Sequence, residues 1–341
     1  MDELTISKSK LKDFISKIKT DYNIFAPTLI DDVILFRKIN DFSEISLDFL
    51  NSKVPPKSIL FKQTETMFKF QTGVNAKLEA IDNTDTKNLI FGIRPCDAKS
   101  FNILDKIFKE DYIDPYFIKR RENTVLIGLT CNQPGTNCFC TSLDGNPAGA
   151  DDVDILFTDI GEKYLVEVSS KKGSETLKSV KNLFSNAKAS DKEKKQDIEI
   201  KSKNLIVRNM KTEGISEKLD KIFEDNLWKN ISLKCLSCGI CTYLCPTCHC
   251  FDMQDETTLK NGARVRVWDT CMNPEYTIHA SGHNPRPTRM NRTRNRVYHK
   301  FNYIPKNHNV IACVGCGRCI NECPVNIDII DIIDQARGVK L

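Results

Sequence analysis

Long hydrophobic runs are what this 341-residue sequence lacks most plainly. The longest, such as Val33-Ile34-Leu35-Phe36, fall far below the roughly 18 apolar residues of a membrane span. The N-terminal MDELTISKSK has no signal-peptide core, so the chain is expected to be cytoplasmic, with no membrane span. A strong charge bias is missing too, since +5 on 95 charged side chains does not by itself indicate a polyanionic partner. Nor is there a G-x-G-x-x-G after a predicted strand or a G-x4-G-K-[ST], which removes the recognisable dinucleotide and phosphate fingerprints. At 40% apolar, the chain is long enough for about two domains with real cores. Cysteine, by contrast, is plentiful. In a reducing cytosol fifteen cysteines point to metal ligation or catalysis more than to disulfides.

Eight of them fall into two runs of the form C-x2-C-x2-C-x3-C-P, Cys235 to Pro246 and Cys313 to Pro324. Three thiolates in so tight a loop can hold three corners of an iron–sulfur cubane while the fourth faces away. In the bacterial two-cluster pattern the fourth cysteine of each run ligates the other cluster. The reading therefore assigns Cys235, Cys238, Cys241 and Cys323 to one [4Fe–4S] cluster, and Cys313, Cys316, Cys319 and Cys245 to a second. Gly239, Gly315 and Gly317 suit a chain that turns closely around sulfide. Zinc would call for paired C-x2-C knuckles at longer separations.

The rest of the chain reads as an α/β region ahead of this cysteine-rich one. Residues 88–94 and 124–130 are continuous apolar runs, as strands buried on both faces are. Residues 98–109 between them carry Phe101, Leu104, Ile107 and Phe108 at helical spacing, the crossover that parallel strands need. A hairpin is predicted over 154–168, a helix over 175–184, and a mobile loop or solvated helix over the Lys- and acid-rich 187–204. The fold expected is an α/β domain over 1–225, then a ferredoxin-like α+β dicluster domain over 226–341 with an insertion at 251–308.

That insertion accounts for most of the 67 residues, 246–312, between Cys245 and Cys313. It gathers Arg286, Arg289, Arg292, Arg294, Arg296 and Lys300 beside Tyr298, His299 and Phe301. Three readings apply: cations that compensate anionic clusters or pair with an acidic partner subunit, a solvated basic segment, or a nucleic-acid surface. The first is preferred, with no nucleic-acid partner.

Several stretches together resemble the β subunit of cytoplasmic sulfhydrogenases, a group similar to the dicluster electron-transfer component of anaerobic sulfite reductase. They are 245–252 (CPTCHCFD), 266–271 (RVWDTC), 282–286 (GHNPR), 313–319 (CVGCGRC), 92–97 (GIRPCD), and Cys131 with Cys138-Phe139-Cys140, so the likeness spans nearly the whole chain. The Asn284-Pro285-Arg286 element favours the sulfhydrogenase branch. The resemblance implies an iron–sulfur protein that transfers electrons within a complex rather than a stand-alone catalyst. It would relay electrons between an FAD- and NAD(P)-binding flavoprotein subunit and a catalytic redox subunit, either hydrogenase or sulfite reductase. The absence of paired C-x2-C sets suited to a nickel–iron centre agrees with terminal chemistry on another chain. The alternatives are an enzyme with its own sulfur or sulfite site, and a nucleic-acid-binding or structural metal protein.

Seven cysteines remain: Cys96, Cys131, Cys138, Cys140, Cys248, Cys250 and Cys271. An isolated free cysteine usually packs as a small hydrophobe. Cys96 and Cys131, however, directly follow the two predicted parallel strands, at the sheet edge where α/β domains place their sites. Cys138 and Cys140 share the turn-rich loop after Cys131. A third [4Fe–4S] is expected on Cys131, Cys138 and Cys140, with Cys250 as fourth ligand and Cys248, Cys271 and Cys96 as alternatives. His249 reads as a ligand, a donor to sulfide or a surface residue. Asp97 reads as the cap of the helix that starts near it.

Overall fold

The computed structural model describes residues 3–81 and 86–340. Its strands, in chain order, are β1 (Glu3–Ser7), β2 (Asn23–Ile30), β3 (Val33–Lys38), β4 (Thr64–Gln71), β5 (Lys77–Ala80) and β6 (Asn88–Ile93). There follow β7 (Thr124–Leu129), β8 (Ile155–Asp159), β9 (Lys163–Val168), β10 (Ser185–Asn186), β11 (Phe251–Thr258) and β12 (Asn261–Trp268). They are distributed over two compact units, neither of them one continuous stretch. The first comprises 1–56, 86–211 and 313–317; the second comprises 57–85, 212–312 and 318–341.

The first unit is α/β. Its eight-stranded sheet has the order β10-β1-β9-β8-β7-β6-β2-β3, parallel through β2, β6, β7 and β8 and antiparallel at both margins. All six residues of β6 and of β7 are buried, so these runs show no in-out alternation. The helix Pro95–Phe108 links β6 to β7 and buries Ala98, Phe101, Leu104 and Phe108. It starts earlier than expected, with Pro95 in its first turn and Arg94 as the capping residue. Asp97 therefore lies inside the first turn and is not the cap. On the opposite face Phe14 packs against Phe91, Phe157 and Phe184, with ring centroids 5.7–6.3 Å apart.

The hairpin forms as β8 and β9. The helix expected over 175–184 begins earlier, as an α-helix Lys171–Leu177, and tightens to a 3-10 turn over Lys178–Leu183. Residues Ala189–Asn204 form the solvated helix rather than a loop. Its charges explain this: Glu199 lies four residues from both Lys195 (3.5 Å) and Lys203 (2.7 Å), and Lys195 also reaches Glu167 of β9 at 3.2 Å.

The second unit holds a four-stranded antiparallel sheet, β11-β12-β4-β5. Here the units differ from a division at residue 225. Residues 64–80 supply β4 and β5 to the sheet that β11 and β12 begin, because β4 pairs with β12 along nearly its whole length. The pairing buries an ion pair between Arg266 and Glu65 at 2.7 Å, with side chains 2% and 5% exposed. The insertion supplies β11, β12 and the helix Arg289–Tyr298, which runs into a wide π-turn at His299–Tyr303 and a short helix Ile304–His308. Trp228 and Tyr298 anchor that helix, donating to the carbonyls of Ile222 (2.7 Å) and Leu219 (2.6 Å). The segment 313–317 belongs instead to the first unit, where the Phe139 amide donates to the Gly315 carbonyl at 2.9 Å. No helix among the described residues is long and apolar enough to cross a membrane.

Candidate metal centres

Each cysteine run begins as a turn and ends as a short helix, Ile240–Tyr243 after Cys238 and Arg318–Asn321 after Cys316. Gly239 permits the turn in the first run: its φ of +76° is one that side chains resist, and a Cβ there would lie 3.0 Å from the Tyr243 ring. Cys235, Cys238 and Cys241 of the first run and Cys319 and Cys323 of the second line one pocket in the second unit. Apolar side chains close it, among them Ile240, Met272, Val297, Ile329 and Ile332. Backbone amides point at its sulfurs, Ser237 N–H to Cys235 Sγ at 3.4 Å and Ile327 N–H to Cys323 Sγ at 3.2 Å. Hydrogen bonds of this kind to the sulfurs are among the influences that set the potential of an iron–sulfur cluster. Among the described residues no group of three or more His, Cys, Asp or Glu side chains converges on one metal ion. A cubane does not ask for that, because each thiolate holds a different iron atom. Cys235, Cys238, Cys241 and Cys323, four of the five thiols around this largely apolar pocket, fit a [4Fe–4S] cluster.

The basic segment of the insertion is not a solvated face. Arg292, Arg294, Arg296 and Lys300 are all buried. Positions 289, 292, 296 and 300 share one side of the helix and its π-turn, and they follow the first cysteine run residue by residue. Arg289 donates to the Cys235 carbonyl (2.9 Å), Arg292 to the Ser237 hydroxyl (3.2 Å) and Arg296 to the Cys241 carbonyl (3.4 Å). Lys300 donates to Cys245 Sγ itself at 3.1 Å, and to Thr247 Oγ1 and the Ala312 carbonyl. Burial opposes the charge on Arg296, but the surrounding sulfurs of Cys241, Cys319, Cys248 and Cys245 outweigh it and keep the guanidinium charged. Arg294 points to the other side, over the Phe223 ring at 3.6 Å.

Cys245 is held well below the ordinary cysteine value, first by the hydrogen bond from the Cys248 thiol and then by Lys300, against burial. Cys319 lies near enough to feel both Cys245 and Lys300, and burial pushes its thiol up. Cys313 and Cys316 belong to the first unit. Replacing Lys300 by Met keeps the length and removes the donor to Cys245. The centre that uses Cys245 is then expected to keep its iron and drop in midpoint potential by tens of millivolts, up to about 100 mV, as loss of a charged hydrogen bond implies. An EPR-monitored redox titration reads this, and an unchanged potential would refute the role.

Residues 234–327 match the 4Fe–4S dicluster domain family, a span that holds both cysteine runs. A curated relative, sulfhydrogenase 2 subunit beta of Pyrococcus furiosus, is 33% identical over 326 residues, which are 95% of this chain and 95% of the relative. The chain belongs to the sulfhydrogenase β-subunit family. It is an iron–sulfur protein related to hydrogenase electron transfer, and within that family its other seven cysteines still need places.

Four of the seven meet in the first unit. Cys96, Cys131, Cys138 and Cys140 line one pocket with Leu50, Pro95, Pro134 and Pro147. Cys96 joins Cys131, Cys138 and Cys140 at this wall. Cys250 lies in the second unit, where its thiol accepts a hydrogen bond from Cys271 that, more than any other influence, brings it down to about 6. Cys271 is pushed far up as the donor, and Cys248 is similarly engaged with Cys245. His249 turns its Nδ1 to the Thr247 carbonyl at 3.1 Å, with its ring 5.3 Å from that of His299. Burial and then the charge of His249 depress His299 to about 3, so it stays neutral.

Two residues that sequence reasoning passed over complete this sulfhydrogenase-type framework. Lys57, 2% exposed, donates to the carbonyls of Cys245 (2.8 Å) and Cys248 (2.6 Å) and lies 4.4 Å from the Trp268 ring centre. Nothing in its local sequence marks it. Arg94, also buried, donates to the carbonyls of Leu50, Thr130 and Phe49 beside Cys96 and Cys131. Its position between a fully apolar strand and a Pro-Cys pair could have singled it out.

Proposed function

We propose that this chain is the iron–sulfur relay of a multi-subunit oxidoreductase. It would pass electrons between an NAD(P)H-oxidising, FAD-binding flavoprotein and a catalytic redox subunit of hydrogenase, sulfur-reductase or sulfite-reductase type. The observation that carries the reading is the pocket in which three thiols of one run meet Cys319 and Cys323 of the other. Kinship to a protein named as a sulfhydrogenase subunit supports the existence of partner subunits. The missing nucleotide fingerprints support a separate nucleotide-binding chain.

Cys235, Cys238, Cys241 and Cys323 would hold one [4Fe–4S] cluster, and Cys313, Cys316, Cys319 and Cys245 the second. Bound there, each cluster supplies a one-electron donor and acceptor. The protein's own part is to exclude water with Met272, Val297 and Ile332, and to hold positive charge near the thiolates through Arg296 and Lys300. Insertion 251–308 thus serves as cover and counter-charge for the first run. Purified natively, the chain is expected to bring down a flavoprotein, and once freed of partners and fully loaded with iron it should show no tight NADPH binding. NADPH binding by the isolated loaded chain, read by fluorescence or calorimetry, would sink the assignment.

A further inference from the structure

We infer that the α/β unit carries its own [4Fe–4S] site, ligated by Cys96, Cys131, Cys138 and Cys140 and walled by the Gly315-Cys316 backbone. The inference rests on the reading of the chain as a cluster-bearing relay and extends it to a centre whose four ligands all lie outside the dicluster domain.

Topology brings the thiols together. Strands β6 and β7 are parallel neighbours, so their carboxyl ends lie side by side, and each is followed at once by a cysteine-bearing segment. Cys96 sits in the first turn of the 14-residue helix Pro95–Phe108. Cys131 leaves β7, and its amide is tied to the Pro147 carbonyl at 2.8 Å. The loop then returns Cys138 and Cys140 to the same wall, held by Cys138 N–H to the Gly135 carbonyl (3.0 Å) and by Arg208 to Asn137 Oδ1 (2.6 Å).

Two further observations, independent of the thiols, suit a bound anionic cluster. One is the buried guanidinium of Arg94, two residues before Cys96 and held by the carbonyls of Phe49, Leu50 and Thr130, the last of these adjacent to Cys131. Four thiolates around an iron–sulfide core leave a net negative charge that this cation offsets. The other is how tightly the second cysteine run closes over the site. Gly315 and Gly317 have φ of +65° and +74°, and a Cβ would fall 2.5 Å from the Cys140 nitrogen or 2.7 Å from the Asn137 carbonyl oxygen. Only glycine fits there. The Cys316 carbonyl is fixed by Asn51 Nδ2 at 3.0 Å and lies 3.9 Å from Cys138 Sγ. A ligand of the proposed second cluster thus forms part of the wall of this site. On ligation the four thiols release their protons to solvent, and no oxidant or reductant is needed to bind a preformed cluster.

Metal and acid-labile sulfide analysis of the anaerobically purified full chain tests the inference. Three cubanes give about 12 irons per chain and two give about 8. We expect about 12 in the unaltered chain and in Cys250→Ala. Cys96→Ala should lose between about one and about four irons, the smaller number if three thiolates retain a three-iron core. In the unaltered loaded chain, mass spectrometry should find Cys96 shielded from iodoacetamide until a chelator is added, a readout that needs no variant. About 8 irons with Cys96 freely alkylated would overturn this site and leave the dicluster intact. So would stoichiometric zinc in place of the third cubane, or loss of iron in Cys250→Ala but not in Cys96→Ala. Iron near zero in the unaltered chain would instead bring down the relay reading itself.

Discussion

Replacing Cys323 by Ala is expected to destroy or cripple the centre built on Cys235, Cys238 and Cys241, although Cys323 lies 82 residues beyond Cys241 in sequence. These four thiols share one pocket. With three ligands left, the centre should lose between about one and about four irons and its EPR signal should change or vanish. The centre assigned to Cys313, Cys316, Cys319 and Cys245 should keep its spectrum nearly intact. The reverse pattern, damage confined to the Cys313 centre, would mean that each run serves its own cluster and that crossed ligation is wrong. Thermal stability should fall together with the iron, since metal binding and folding are coupled wherever ligands come from distant segments.

Glu65→Ala should be the most damaging substitution away from the thiols. Arg266 and Glu65 are both almost fully enclosed, 2.7 Å apart, with the Phe61 and Phe251 rings 5.1 and 5.4 Å from the guanidinium. Removing one partner of such a pair leaves a buried charge without its counter-ion, at a cost of about 3–5 kcal/mol. For a unit of this size that lowers the melting temperature by roughly 6–20 °C. Replacing both residues with apolar ones of similar volume should recover much of the loss, because an apolar pair escapes the desolvation that burdens an ionic one. Calorimetry on the single and double variants measures both effects. A double variant as unstable as Glu65→Ala would show that the pair does more than neutralise itself.

What could be read from sequence follows the range of the forces involved. Cys235, Cys238 and Cys241 lie within one loop, so spacing alone groups them, and the run pattern extends the group to Cys323, which lines the same pocket. The apolar β6 and β7 were legible because a strand buried on both faces needs no alternation. The identity of the thiol beside Cys131 was not, since Cys96, Cys248, Cys250 and Cys271 differ only in where tertiary structure takes them. The hairpin β4–β5 gave no hint of its sheet, because Glu65 looks like an ordinary surface acid until Arg266 pairs with it. The charge of residues 286–300 was plain from composition. Its direction became plain only once the 289, 292, 296 and 300 positions shared a helix face.

That face has a consequence for the life of the protein in the cell. Arg289, Arg292, Arg296 and Lys300 are packed along a cysteine run whose negative charge is greatest when its sulfurs are metal-bound. In a newly made chain without clusters these cations face less negative charge, and the helix that bears them, still anchored by Tyr298, docks less firmly. Such chains are prey for proteases. Iron scarcity should then thin the population of the protein, not merely leave it idle, so that its abundance tracks the supply of clusters even while its messenger RNA stays constant.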